Sequence, residues 1–176
     1  MTLAFKRIVG GKAADKPLHY TACGLDDVYL FNGFTREVVD GEEYITIQDL
    51  DRLWGAIGLR LVTEKKVLAP KEIRFLREHM DLTQAELGKL MRVSDQTVAR
   101  WEKGITDSFE GPADFALRVL FLESPIAQPE GHQILEKTGI KKMIKEVVEK
   151  DELDKTVVFR HSKKHWKEQR ELEWCA

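Results

Sequence analysis

The chain has 176 residues, of which 43% are hydrophobic, and its formal net charge at pH 7 is -2. This length fits one ordinary domain or two small ones, and the apolar content is sufficient for a packed core. No apolar run approaches the roughly 20 residues that a membrane-spanning helix needs, which excludes a helical membrane protein. The near-neutral charge gives no general indication of nucleic-acid binding, which normally relies on clustered lysines and arginines.

The N-terminus and the two cysteines predict a cytoplasmic location. Residues 1–10 contain too short an apolar run for a signal peptide. Cys23 and Cys175 stand near opposite ends of the chain and are too few for a disulfide framework. We therefore expect free thiols in a reducing compartment.

The charges are unevenly distributed along the chain. Basic residues recur from Lys65 onward and again between residues 137 and 170. The acidic residues that crowd the first third are Asp26, Asp27, Glu37, Asp40, Glu42, Glu43, Asp49 and Asp51. This asymmetry predicts that the two halves of the protein face different partners.

The first 64 residues are predicted to form a small α+β domain. Residues 1–16 show no sustained periodicity and indicate a loose arm. Residues 28–47 are rich in β-formers, with Asn32-Gly33 and Asp40-Gly41 as turn signals, which favours a small antiparallel sheet. Apolar residues then recur at three- and four-residue steps over residues 49–61, which predicts a helix.

Residues 65–124 are predicted to form an all-α domain. Residues 63–69 are typical of a linker, and Pro70 suits the first turn of a helix. The helical patterns that follow cover residues 71–80, 84–91, 95–103 and 112–123. Their short polar connections indicate a compact bundle.

Residues 125–176 are predicted to be a C-terminal extension that serves dimerisation or an accessory contact. It contains a weak helical pattern near residues 131–137, a helix over 141–152 and a strand at 156–159. The whole chain is thus assigned to the α+β class.

Residues 83 to 103 carry the pattern of a helix-turn-helix. Thr83 and Glu86 form a capping box at the start of the first helix, and Gly88 provides the small residue that lets the second helix approach. Ser94 caps the second helix, and Gly104 suits a left-handed C-cap. The predicted inward positions are Leu87, Met91, Val93, Val98 and Trp101. A generic helical hairpin rarely combines both caps, the small residue and this apolar set.

The same window resembles the Cro/phage-repressor (XRE-type) DNA-binding domain over residues 68–123. The matching segments are Ile73-Arg74-Phe75-Leu76-Arg77, Thr83-Gln84-Ala85-Glu86-Leu87, Val93-Ser94, Thr97-Val98 and Arg100-Trp101-Glu102-Lys103-Gly104. Arg92 departs from the family, which often has glycine in the inter-helix turn, so we expect an arginine at positive φ at a cost of about 1 kcal/mol.

Resemblance and physics together place the second helix in the major groove of DNA. Its exposed residues Asp95, Gln96, Thr97 and Arg100 are the predicted base-reading set, in which Gln96 suits adenine, Arg100 suits guanine and the Thr97 methyl suits thymine. Lys89, Arg92 and Lys103 are expected to contact phosphates. Gln84 is similar to the family's glutamine that anchors a phosphate or an outer base, and Ser94, the cap of the second helix, is also assigned to the DNA-binding set.

The resemblance also implies structural roles. Arg74 and Glu102 resemble a buried ion pair that joins the first helix of the domain to the third. Arg77 is interpreted as part of a solvated face or as a phosphate contact, and Trp101 as a core residue rather than a stacking platform.

The N-terminal region resembles the MqsA/YgiT type of antitoxin through Tyr20-Thr21-Ala22-Cys23-Gly24 followed by a sheet, a helix, a linker and an XRE-type domain. That family holds zinc on two Cys-x-x-Cys pairs, but Tyr20 replaces the first cysteine here and no second pair exists, which excludes such a zinc site. An alternative ligand set of His19, Cys23, His161 and His165 is only weakly indicated. We predict no metal and no cofactor.

These patterns favour a sequence-specific transcriptional regulator, a repressor or autoregulator, that binds a palindromic operator as a dimer. One alternative is an antitoxin that neutralises a toxin through its acidic N-terminal domain and autoregulates its operon. That domain could equally sense a ligand or mediate oligomerisation. The chain shows no nucleophile elbow, phosphate loop, paired catalytic carboxylates or metal-ligand cluster, so we predict that it is not an enzyme.

Overall fold

A computed structural model describes residues 17–105, 109–139, 142, 145, 157–162 and 165–169. The chain has a mixed α+β fold, as predicted. Its strands are β1 Leu18–His19, β2 Val28–Leu30, β3 Phe34–Val39, β4 Glu42–Ile47, β5 Val157–Ser162 and β6 His165–Glu168. Its helices are α1 Leu50–Glu64, α2 Pro70–His79, α3 Gln84–Met91, α4 Asp95–Lys103, α5 Pro112–Glu123 and α6 Glu130–Thr138, with a 3-10 turn at Pro125–Ala127.

The larger sheet joins the two ends of the described chain, in the order β1-β2-β5-β6. Strand β2 runs parallel to β5, with Val28 opposite Val157 and Leu30 opposite Phe159, and the outer pairs are antiparallel. These four residues are buried, as expected for a parallel pair in the middle of a sheet.

The prediction of one antiparallel sheet over residues 28–47 is wrong at Asn32-Gly33, the first of its two predicted turns. Only β3 and β4 form a hairpin, around Asp40-Gly41, as a separate two-stranded sheet. At Asn32-Gly33 the chain leaves the larger sheet, because β2 takes the apolar strand β5 as its neighbour instead of β3. Gly33 has a φ of 79°, and a Cβ there would lie 2.7 Å or less from the Trp166 ring, so this crossing requires glycine.

Helix α1 lies at the centre of the molecule and buries Leu53, Ile57 and Leu61. It begins and ends within three residues of the predicted bounds. Gly58 allows α5 to approach, since a Cβ at this position would lie 2.0 Å from Cζ of Phe121. The core therefore continues from the sheet region through α1 into the helical part.

The helical predictions agree closely with the structure. Helices α3, α4 and α5 have the predicted bounds, and α2 begins at Pro70, one residue earlier than predicted. The predicted arm of residues 1–16 lies outside the described residues. So does the predicted helix over 141–152, apart from Lys142 and Lys145, which are helical. The predicted last strand is present as β5, but β6 was not predicted.

In the described part of the chain, none of the helices has the length and apolar character that crossing a membrane requires.

The ring of His79 lies among aromatic side chains at the end of α2. Its centroid is 4.3 Å from that of Trp54 in a stacked pair and 4.2 Å from that of Phe75 in an edge contact. The Trp54 indole donates a hydrogen bond of 3.2 Å to the Tyr20 hydroxyl, which holds the stack. Burial lowers the pKa of His79 below its ordinary value of 6.5, although Glu78 and other carboxylates oppose this shift.

We expect the folded protein to lose stability as the pH falls below about 6.5. The unfolded chain takes up a proton at His79 near that pH while the folded chain resists it, so acid favours unfolding until the folded-state pKa is passed. Urea unfolding of wild type and His79→Gln over a pH series measures this. His132→Gln, at an exposed position on α6, is the matched control. An unchanged pH dependence in His79→Gln would contradict the expectation.

Candidate DNA-binding site

The first helix of the predicted motif, α3, begins with the expected capping box. The Thr83 hydroxyl oxygen accepts a hydrogen bond of 3.2 Å from the Glu86 backbone N–H. The Glu86 carboxylate accepts in return from the Thr83 backbone N–H at 2.8 Å and from its hydroxyl at 2.7 Å. These bonds lower the pKa of Glu86. The start of α3 is therefore fixed by its own sequence, as predicted.

The turn between α3 and α4 is tight and needs two unusual positions. Arg92 has φ 56° and ψ 41°, so this non-glycine residue adopts the left-handed conformation, as predicted. A Cβ at Gly88 would lie 2.8 Å from the Val93 carbonyl oxygen, which explains why this position requires glycine. The Val93 N–H donates to the Gly88 carbonyl at 2.9 Å and closes the turn.

Helix α4 is also bounded as predicted. The Ser94 hydroxyl oxygen accepts from the Thr97 N–H at 3.1 Å, and Gly104 ends the helix at φ 66°. Of the five predicted inward residues, Leu87, Val98 and Trp101 are buried, and Met91 and Val93 are partly buried against the same core. Trp101 also meets the Phe109 ring edge-on, so it is a core residue, as predicted.

The predicted ion pair between Arg74 and Glu102 is wrong, because Arg77 takes this place. Arg77 donates through Nε to Glu102 Oε1 at 2.5 Å and through Nη2 to Glu102 Oε2 at 3.1 Å. Arg74 is exposed and pairs with Glu78 on the same helix. Ile73 and Leu76 are buried on α2, and residue 77 follows them on the same helical face while residue 74 turns away. This periodicity was the signal that could have identified Arg77.

The buried pair is completed by α3 and by the loop before it. Arg77 Nη1 donates to the Leu82 carbonyl at 2.8 Å, and Gln84 Nε2 donates to Glu102 Oε2 at 2.8 Å. Glu102 raises the pKa of Arg77, which keeps the guanidinium charged. Gln84, predicted at a phosphate or an outer base, therefore belongs to a network that fixes α2, α3 and α4 relative to each other.

The predicted base-reading residues lie together on the outer face of α4. Gln96 and Arg100 are exposed, and no described residue pairs with either side chain. The Thr97 hydroxyl lies 2.9 Å from the Ser94 hydroxyl, and the Asp95 carboxylate accepts from the Gln96 backbone N–H at 2.8 Å. Asp95 and Thr97 are thus engaged in the cap, while Gln96 and Arg100 keep their polar groups available for another molecule.

The predicted phosphate-contacting cations surround this face. Lys89 is on α3, Arg92 is in the turn and Lys103 is at the end of α4, and all three are exposed. Together with Arg100 they give the surface of the motif four exposed cations against two exposed carboxylates, those of Glu86 and Asp95. A surface of this charge suits a polyanion.

Replacement of Arg92 should separate its backbone role from its charge. Glycine adopts positive φ without strain, whereas alanine does not. We therefore expect the free energy of unfolding of Arg92→Gly to equal that of Arg92→Ala or to exceed it by up to about 1 kcal/mol. Both variants lose the cation and should bind DNA more weakly by the same amount. Urea unfolding and DNA titration of the two variants measure this, and a more stable Arg92→Ala would contradict the argument.

The four residues of the alternative metal set each have other contacts. His19 Nε2 lies 2.7 Å from the Asp26 carbonyl oxygen, and His161 Nε2 lies 2.8 Å from Asp49 Oδ2. The Cys23 thiol is free of disulfide bonding, donates to the Tyr20 carbonyl, and has its pKa raised by burial. His165 Nδ1 lies 3.4 Å from an Arg52 nitrogen. Among the described residues, no three histidine, cysteine or acidic side chains come together as a metal-ligand set.

Comparison with known proteins supports the motif. Residues 73–108 match the family model described as Helix-turn-helix, which spans most of α2 together with α3 and α4. No curated protein and no solved structure gave a significant match. The match does not reach the N-terminal residues that resemble the MqsA/YgiT antitoxins, and that resemblance stays a prediction. Residues 73–108 are therefore similar to helix-turn-helix DNA-binding domains, which supports the motif predicted at residues 83 to 103.

Proposed function

We propose that this protein is a sequence-specific transcriptional regulator, a repressor or autoregulator of the cytoplasm, which reads its operator with α4. The observation that carries the proposal is the exposed pair Gln96 and Arg100, which has no side-chain partner among the described residues and lies on the outer face of a helix whose other face is fixed in the core. A rigid helix with free polar groups on one side is suited to the major groove.

Each predicted site residue receives a role within this proposal. Arg100 would donate two hydrogen bonds to guanine and Gln96 would pair with adenine, while the methyl group of Thr97 contacts thymine. Asp95 and Ser94 hold the N-terminus of α4 at the base edges. The amide of Gln84, which has a second N–H beside the one given to Glu102, donates to a phosphate.

The remaining cations fix the register on DNA. Lys89, Arg92 and Lys103 are placed at the rim of the motif, where lysine and arginine contact phosphates without reading sequence. Such contacts give a binding constant that falls with salt for all sequences alike.

We further propose that the protein binds a palindromic operator as a homodimer. One helix of this size contacts few base pairs, and two copies related by a two-fold axis would read half-sites about 34 to 36 Å apart or a multiple of that. Under this proposal, residues 65–124 bind DNA, residues 1–64 bind a partner or sense a ligand, and residues 125–176 serve dimerisation or an accessory role.

Selection of bound sequences from a random DNA pool at two salt concentrations tests the proposal. We expect one enriched inverted repeat at both concentrations, with fewer unrelated sequences at the higher salt because phosphate contacts weaken first. Absence of an enriched motif would contradict the regulator function.

An antitoxin that also represses its own operon is the second candidate function. It is favoured by the acidic first third of the chain, in which Glu37, Asp40, Glu42 and Glu43 lie on one exposed hairpin. The test is expression of each neighbouring gene with and without this protein. Growth arrest that this protein relieves, through a complex that can be isolated, would support the function, and no such neighbour would contradict it.

A further inference from the structure

The hairpin of β3 and β4 is held firmly at its base. Phe34 and Ile47, opposite each other at the open end, pack against the core. The Trp166 indole donates to the Gln48 carbonyl at 2.9 Å, and the Gln48 N–H donates to the Gly33 carbonyl at 2.8 Å. The base of the hairpin is therefore fixed to β6 and to the chain segment that leaves β2.

Beyond its base the hairpin has no support from the described part of the molecule. Residues 35–46 are exposed on both strands, and the sheet consists of these two strands alone. A two-stranded hairpin without a covering layer is marginally stable in water. Yet this one exposes Val38 at 72%, Val39 at 51%, Tyr44 at 52% and Ile45 at 40%. Exposed apolar groups clustered on one projecting element are typical of a docking surface.

The two faces of the hairpin differ in charge. On one face Arg36 pairs with Glu43 at 3.2 Å, beside Val38 and Ile45. The other face, which we call the acidic face, carries Thr35, Glu37, Val39, Glu42, Tyr44 and Thr46. It has two carboxylates, no cation and the exposed apolar pair Val39 and Tyr44.

The charge of the hairpin decides which class of molecule can cover it. Residues 34–47 contain one arginine and four acidic residues, so DNA is repelled. A second copy of the same hairpin would bring the carboxylates of two acidic faces together, which is also unfavourable. A basic protein segment has the complementary charge, and the best match is a segment in which residues two apart, which share a face, are in turn basic and apolar.

We propose that the acidic face and an outer edge of this hairpin bind an extended, basic and apolar segment of a partner protein. The segment adds as a further strand, so its backbone pairs with outward N–H and C=O groups of β3 or β4. On the acidic face its basic and apolar side chains meet the carboxylate and the apolar residue of the strand that it joins, which are Glu37 and Val39 on β3 or Glu42 and Tyr44 on β4. Neither strand has the proline or lysine that often blocks edge pairing.

This inference goes beyond the DNA-binding function and does not rest on it, because the hairpin and α4 share no residue. It deepens the second candidate function, which is favoured by the same hairpin, by naming the chemistry of the segment that would bind there. Variants of the hairpin should therefore leave DNA binding unchanged, and variants of α4 should leave hairpin binding unchanged. Experiments can therefore reject DNA binding by α4 and partner binding by the hairpin independently of each other.

Calorimetric titration of the full-length protein with synthetic peptides tests the inference. The probe, called the lysine-valine peptide, repeats Lys-Ser-Val-Ser, so that lysine and valine follow each other on one face of a strand. The controls repeat Glu-Ser-Val-Ser (the glutamate-valine peptide) and Lys-Ser-Ser-Ser (the lysine-serine peptide). We expect the lysine-valine peptide to bind, the lysine-serine peptide to bind about tenfold or more weakly because it lacks apolar contacts, and the glutamate-valine peptide not to bind. Raising the ionic strength should weaken the complex.

Variants then locate the binding surface. Glu37→Gln with Glu42→Gln, and separately Val39→Ser with Tyr44→Ser, should each weaken peptide binding by about tenfold or more. Glu123→Gln with Glu136→Gln removes two exposed carboxylates elsewhere and should leave it unchanged. All these side chains are exposed, so equal thermal unfolding of the variants would confirm that they fold alike.

Three outcomes would overturn the inference. In the first, the lysine-valine and glutamate-valine peptides bind equally well, or neither of them binds. Another is equal binding by wild type and both hairpin variants. The third is a dimer of the wild-type protein that dissociates in Val39→Ser with Tyr44→Ser, because the occupant would then be a second copy.

Discussion

Arg77→Ala should lower the free energy of unfolding by about 3–5 kcal/mol, the cost of breaking a buried ion pair from one side. The side chains of Arg77 and Glu102 are only 10% and 4% exposed. Without the guanidinium, Glu102 keeps only the Gln84 amide as a described side-chain partner, and the Leu82 carbonyl loses its side-chain donor. Urea unfolding followed by tryptophan fluorescence measures the loss, because Trp101 lies in the same core.

Arg74→Ala is the matched control for this prediction. Arg74 is on the same helix, but its side chain is 62% exposed and among the described residues pairs with Glu78 alone, so its removal should cost less than about 1 kcal/mol. The difference between the two variants separates the observed pair from the one that the sequence predicted. Equal losses, or a larger loss for Arg74→Ala, would show that Arg77 does not hold the three helices together.

Arg118→Met should be similarly costly, at about 3 kcal/mol or more, because it leaves buried carbonyl groups unsatisfied. Arg118 is 2% exposed and joins α5 to the end of α1. Its Nη1 donates to the Leu61 and Val62 carbonyls at 3.1 and 2.9 Å, and its Nη2 donates to the Lys66 carbonyl at 3.4 Å. The last turn of a helix has carbonyls without intrahelical donors, and here a guanidinium supplies them.

Asp114→Asn tests whether these carbonyl bonds or the ion pair of Arg118 carry the effect. Asp114 accepts from Arg118 Nε at 2.8 Å within α5 and is 22% exposed, so neutralising it should cost about 1 kcal/mol or less. Methionine at residue 118 keeps the length of the apolar stem, so packing changes little. If Asp114→Asn cost as much as Arg118→Met, the ion pair rather than the helix cap would stabilise the junction.

The features that sequence predicted best are those fixed by neighbouring residues. The bounds of α3 and α4 follow from Thr83, Ser94 and Gly104, which act within one helical turn. The positive φ of Arg92 and the need for glycine at residue 88 follow from the same tight turn. The hairpin around Asp40-Gly41 was predictable for the same reason.

The features that sequence missed depend on contacts between distant segments. Strand β2 pairs with β5 across more than 120 residues, and no local pattern in Val28–Leu30 distinguishes that partner from β3. The choice between Arg74 and Arg77 also depends on which side of α2 faces α4. The burial of Ile73 and Leu76 settles it, whereas the resemblance alone placed the pair on the wrong arginine.

The candidate DNA-binding site was predicted as a set of residues, and the structure assigns them different surroundings. Gln96 and Arg100 are exposed without a described partner, whereas Gln84 is engaged by Glu102 and Thr97 by Ser94. This division follows from packing and could not be read from helical spacing alone. We therefore propose that sequence recognition depends most on Gln96 and Arg100.

The most direct test of base reading by α4 is a set of DNA titrations with wild type, Gln96→Ala, Arg100→Ala and Lys103→Ala. Each protein is titrated with the selected operator, with its single base-pair variants and with random duplex. We predict that Gln96→Ala and Arg100→Ala each lose about 1–3 kcal/mol on the operator and relax the preference at one base pair, whereas Lys103→Ala weakens all duplexes alike. Equal losses on operator and random duplex for Gln96→Ala and Arg100→Ala would contradict base reading by this helix.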